Sequence, residues 1–195
     1  MLQMGVTVMA AAAVLGGPGG LLEGTLFMES HPPARSWESY TSSDSLKRPL
    51  RLNPCDREKA WDKGRVAART MAFIGEAYDM KDEQLVVYKD VAHAKKAMRG
   101  LRAELARCAD MKGEGHDRYR YFTKPVRVGD EGLRAGGLYF ESSTRSVVVR
   151  RGAALYVVGE SGRVSRSLPL KHFRGLIAQA EKMAVKVCDL PEAAC

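Results

Sequence analysis

The stretch STRSVVVRRGAALYVVGESG, Ser143 to Gly162, decides the fold. Two aliphatic runs flank the adjacent Arg150 and Arg151, so the pair is either a basic binding site or the end of a strand in a hairpin. Gly152 tolerates positive φ, which makes Arg151-Gly152 a tight turn between strands Ser146 to Arg150 and Ala153 to Val158. On this reading the arginines mark a strand end and the valines line a core.

Working outward, the segments EQLVVYKD (Glu83 to Asp90), DRYRYFTKPVRVGD (Asp117 to Asp130) and GGLYFES (Gly136 to Ser142) carry alternation or short apolar runs and are expected as strands. RVAARTMAFIGEAY, Arg65 to Tyr78, fits a strand or a helical stripe. The strand is preferred, paired with Glu83 to Tyr88 through the turn DMKD. VAHAKKAMRGLRAELARC has apolar residues at Val91, Ala94, Ala97, Met98, Leu101, Leu105 and Cys108, three and four apart, with Asp90 as N-cap. A second helix is expected in LPLKHFRGLIAQAEKMAVKVC, with Ser167 as cap, Pro169 in its first turn and an apolar face of Phe173, Leu176, Ile177, Ala180, Ala184 and Val187. Strand runs between two helices predict an α+β fold: a twisted antiparallel sheet of five or six strands with two main helices packed on it.

The 195 residues, 45% of them apolar, suit one core. Residues 1–28 are expected to be a signal peptide or N-terminal anchor, because Met4 to Leu22 carries no charge and is rich in Ala and Gly. No basic residue precedes this run, and Gly17-Pro18-Gly19 interrupts it. Residues 29–52 read as a polar linker rich in Pro and Ser, and residues 53–195 as the folded domain. The four cysteines, Cys55, Cys108, Cys188 and Cys195, form no C-x-x-C pair, so zinc is not expected. Two disulfides in an oxidising compartment suit an exported chain; four buried thiols are the alternative.

The segment from NPC at Asn53 through VVYKDVAHAKKAMRGLRAELARC, VRVGDEGLR, SVVVRRGAALYVV and the closing helix resembles exported, sensor-type domains of actinobacteria. It is similar to the extracytoplasmic domain of PknH-type serine/threonine kinases and to related lipoproteins. The resemblance implies an antiparallel sheet, disulfides that fasten helices and a ligand cleft, and brings no catalytic residues with it. No lipobox cysteine is present. Of the three pairings that four cysteines allow, Cys55 with Cys108 and Cys188 with Cys195 is the expected one.

The sequence holds no P-loop, no G-x-G-x-x-G after a strand, no H-E-x-x-H and no G-x-S-x-G. Asp130 and Glu131 in GDEG are read as a turn, since neighbours on an extended chain point to opposite faces and do not readily share a substrate. His93 and Lys96 are expected on the wet face of the first helix, and His116 in a solvated loop. The net charge of +8 is dispersed along the chain. The expected function is a non-catalytic exported binding or sensing domain, without metal or cofactor, for a small-molecule or cell-envelope ligand. Its cleft is expected to draw on Tyr121, Tyr139, Phe140 and Tyr156. The alternative is a cytoplasmic nucleic-acid module using the basic and aromatic residues of Arg118 to Arg127. Against it, alternation puts Arg118 and Arg120 on one face and Tyr119 and Tyr121 on the other, as in a half-buried strand.

Overall fold

The computed structural model describes residues 20–55, 59–76, 79–111, 119–139, 142–163 and 170–195. Among them eight strands form one antiparallel sheet: β1 (Ser39–Ser43), β2 (Arg65–Ile74), β3 (Met80–Tyr88), β4 (Asp110–Met111), β5 (Tyr119–Val126), β6 (Glu131–Tyr139), β7 (Ser142–Arg151) and β8 (Ala154–Arg163). Their order is β1-β2-β3-β8-β7-β6-β5-β4. Helix α1 (Val91–Arg107) follows β3, and α2 (Arg174–Lys186) follows β8.

The expectation of five or six strands is corrected to eight. The strands that raise the count are edges: β1 is Ser-Tyr-Thr-Ser-Ser with no buried residue, and β4 has two exposed residues. A polar edge carries no apolar alternation to read, because it faces water and only its backbone is satisfied by the neighbouring strand. The β2–β3 hairpin also turns elsewhere. Gly75 N–H donates to Asp79 C=O at 2.7 Å, and Met80, Lys81 and Asp82 of the expected DMKD turn already belong to β3. The second helix begins at Arg174, after a positive φ of 62° at His172. Ser167 and Pro169 lie outside the described residues.

The helices take opposite faces. Ala67, Leu85, Val87, Val147, Val149, Ala154, Tyr156 and Val158 pack with α2, whereas Ala68, Val86, Tyr88, Val148, Leu155 and Val157 pack with α1. This explains the unbroken apolar runs of β3, β7 and β8, since a strand covered on both sides has no wet face to make polar. Asp90 accepts the His93 backbone N–H at 2.8 Å and its imidazole Nδ1 lies 2.7 Å from the same oxygen, so this histidine completes the helix cap. Leu22 and Leu26 are buried with α2, while Leu50 and Leu52 are buried with α1. Both ends of the segment 22–52 are thus anchored on the sheet, while residues 27–49 between them are exposed or half-buried.

The hairpin answers the question of the arginines. Arg150, only 4% exposed, reaches Asp130 and Glu131 at 2.8 Å each, and Arg151 reaches Asp130 at 2.8 Å. Asp130 also accepts the Gly152 N–H at 2.9 Å. Both GDEG carboxylates thus converge on one guanidinium, contrary to the expectation that they point apart: Glu131 opens β6 directly opposite Arg150, and Asp130 is still in the turn, where alternation does not hold. Gly152, at φ 54°, is required here because a Cβ would lie 2.0 Å from the Ala193 carbonyl oxygen.

Burial acts to raise the Asp130 carboxyl, but the Gly152 N–H and the two guanidinium groups outweigh it and hold it below the usual carboxylate range. An acid whose folded pKa is depressed contributes stability above its unfolded pKa of about 3.9 and loses it as pH falls through the folded value. Asp130→Asn is expected to cost about 2 kcal/mol at neutral pH through loss of charge-assisted hydrogen bonds. In urea titrations the gap between wild type and variant should close as pH drops below about 4. A gap independent of pH would show that the charge is not what matters.

Candidate functional site

Helix α1 covers only part of its face. On the remainder, the register lines up three rows of side chains. Met80, Ser161, Thr144, Gly137 and Tyr121 are successive cross-strand partners; Asp82, Gly159 and Ser146 form the next row, and Ser142, Tyr139 and Tyr119 the row on the other side. All of these except the two glycines line an open cleft of about 320 Å³, joined by Arg51, Leu52, Asn53 and Glu160.

One wall is aromatic. Tyr119 stacks on Tyr121 at 4.8 Å between centroids, because residues two apart on a strand share a face, and on its cross-strand partner Tyr139 at 5.5 Å. Burial, with a smaller effect from neighbouring Tyr119, pushes the Tyr121 phenol well above its ordinary value, so it remains a neutral donor. Gly137 makes room for the stack: a Cβ there would lie 2.5 Å from Thr144 Oγ1 and 3.0 Å from the Tyr119 ring.

The other wall is polar. Gln84 is fully buried, and its amide accepts the Arg51 N–H at 2.9 Å and donates to Pro49 C=O at 3.1 Å and Thr70 Oγ1 at 3.0 Å. That clamp sets Arg51 beside the sheet, where its guanidinium meets Asp82 at 3.4 Å. Burial raises the Asp82 carboxyl above its ordinary range, and Arg51 opposes the shift. Glu160 at the rim is paired with Arg145 at 2.9 Å.

The structure brings Tyr121 and Tyr139 together but not Tyr156. That tyrosine points to the α2 face, 2% exposed, and its O–H donates to Glu83 at 2.5 Å. It is an even-numbered neighbour of Leu155 and Val157, and alternation alone removes it from the cleft. Phe140 and His116 lie outside the described residues. Tyr119, Asp82 and Arg51 were not among the expected ligand-binding residues. The shared face of Tyr119 and Tyr121 was visible in the alternation of RYRY, whereas Arg51 reaches Asp82 only through the Gln84 clamp. A second gap, about 440 Å³, lies between the stacked His31 and Tyr40 rings, Phe73 and Lys81. It sits at the sheet edge against residues 28–38. The tyrosine cleft is built instead on five strands.

Among the described residues no group of His, Cys, Asp and Glu side chains is arranged to hold a metal ion, and no helix is long and apolar enough to cross a membrane. Cys55 is bonded to Cys108, with Cα atoms 6.0 Å apart, and Cys188 to Cys195, at 5.4 Å. No family model matches the chain, and no curated protein does. Among solved structures it is similar to the extracellular domain of PknH from Mycobacterium tuberculosis, at 11% identity over 77% of this chain and 76% of that one, with a TM-score of 0.45.

Proposed function

We propose that this chain is an exported, non-catalytic ligand-binding or sensing domain whose ligand occupies the tyrosine cleft. The observation that carries the reading is the cleft's construction: an aromatic wall of Tyr119, Tyr121 and Tyr139 and a polar wall of Asp82 and Arg51, with Thr144, Ser146 and Ser161 between them, on five neighbouring strands and the loop that carries Arg51. Pairing of Arg51 with Asp82 and of Glu160 with Arg145 favours binding over proton transfer, since each charge already has its counter-ion. Two disulfides fit an oxidising compartment. Because Leu22 and Leu26 are core residues, any processing of residues 1–28 is expected to fall before Leu22.

Fragment mapping by NMR on the full chain tests the cleft. Ring resonances of Tyr119, Tyr121 and Tyr139 should shift together, and Tyr139→Ala should abolish the shifts while leaving the fold intact, as Tyr139 is 39% exposed. Fragments gathering only at the His31–Tyr40 gap would refute the assignment. Chain recovered from the producing cell's envelope should carry no alkylatable thiol; intact Met1 and four free thiols in the cytoplasm would sink the exported reading.

A further inference from the structure

Resting on the cleft as the binding site, we propose that its ligand is a neutral glycan, bound with one sugar face on the tyrosine wall and its hydroxyls toward the polar wall. Three features narrow the chemistry. Charge on the cleft face is paired: Arg51 meets Asp82 at 3.4 Å, while Glu160 at the rim turns to Arg145 on the α2 face at 2.9 Å, so the described lining offers no unpaired charge to select an ion. Tyr119 stacks between Tyr121 and Tyr139 at 4.8 and 5.5 Å, so no slot remains among the three for a flat ring to intercalate, and Tyr139, 39% exposed, is the ring left to offer an apolar surface. A pyranose ring has that complement, an apolar C–H face with a polar rim.

The third feature is the density of small hydrogen-bonding groups. Ser142, Thr144 and Ser146 alternate along β7 and so place three hydroxyls in a row on the cleft face. At Gly159 a Cβ would lie 3.0 Å from Asp82 Oδ1 and 3.1 Å from Ser146 Oγ, so the missing side chain keeps both oxygens reachable. Hydroxyls that both donate and accept suit this mixture of serine, threonine and carboxylate oxygens, whereas an acceptor-only anion would face the Asp82 carboxylate.

Calorimetric titration of the full chain with maltotetraose, cellotetraose, mannotetraose and the N-acetylglucosamine tetramer tests the inference. At least one should bind with an affinity unaffected by added salt, because no ion pair is formed. Tyr139→Ala should weaken it by ~10-fold or more, Tyr139→Phe should restore it, and Arg120→Ala, on the opposite face of β5, should change nothing; a tenfold loss corresponds to about 1.4 kcal/mol. If none of the four binds while an aromatic fragment such as indole still shifts the three tyrosines, the glycan class is wrong and the cleft stands. If neither class of probe shifts them, both readings fail.

Discussion

Replacing Cys55 and Cys108 together by Ala is expected to lower the unfolding free energy by roughly 4 kcal/mol, the entropy of a closed loop of that size. The bridge spans a sequence separation of 53, and it ties the segment that precedes β2 to the C-cap of α1. Other contacts secure the same corner: Lys59 pairs with Glu104, which is 7% exposed and also accepts from Arg107 at 2.9 Å. The Cys188–Cys195 bridge has a separation of seven and should contribute about 2 kcal/mol on the same scale. Urea midpoints of the two double variants, compared at equal slope, check the ratio. A larger loss from the short loop would mean that docking dominates over loop entropy, because the Ala193 C=O of the closing turn also accepts the Ala153 N–H of the β7–β8 hairpin at 2.6 Å.

Glu83→Leu should be comparably damaging, at about 3–5 kcal/mol, although it adds apolar volume to an apolar core. Glu83 is fully buried and collects three donors: Tyr156 O–H at 2.5 Å, Gln179 Nε2 at 2.5 Å and the Met28 N–H at 2.6 Å. It thereby joins β3, β8, α2 and the N-terminal segment. Burial, with Glu83 next in effect, raises the Tyr156 phenol, which stays a donor across the working range. Removing the acceptor leaves these donors unsatisfied, each costing on the order of 1–3 kcal/mol where water cannot reach. Adding Tyr156→Phe to Glu83→Leu should therefore recover part of the loss, measured as a coupling energy in a double-mutant cycle. Purely additive effects would show that the contact carries no stability of its own.

Much of the architecture was legible because periodicity reports burial. The hairpin at Gly152, the strand from Arg65, and α1 with its Asp90 cap follow from local patterns that act within a few residues. The edge strands were illegible for the same reason: Ser39–Ser43 and Asp110–Met111 are held by backbone pairing, which leaves no trace in side-chain type. Leu22 and Leu26 are a different case, since an apolar run before a polar stretch suits an export segment as well as a core anchor, and their packing against α2 leaves no local pattern to read.

The candidate site divides along the same line. By itself the sequence determined that Tyr119 and Tyr121 share a face, that Val147 to Val149 and Leu155 to Val158 run through a core, and that a turn at Gly152 holds the arginine pair. Only the tertiary structure decided that α1 stops short and leaves the tyrosines open, that the α2 face of the sheet is closed over Tyr156, and that Arg51 meets Asp82 across a separation of 31 residues. Alternation and helical period are properties of a chain segment and its own backbone, whereas a cleft is the space that distant segments fail to fill. Its shape depends on how far each element reaches, which no single segment encodes.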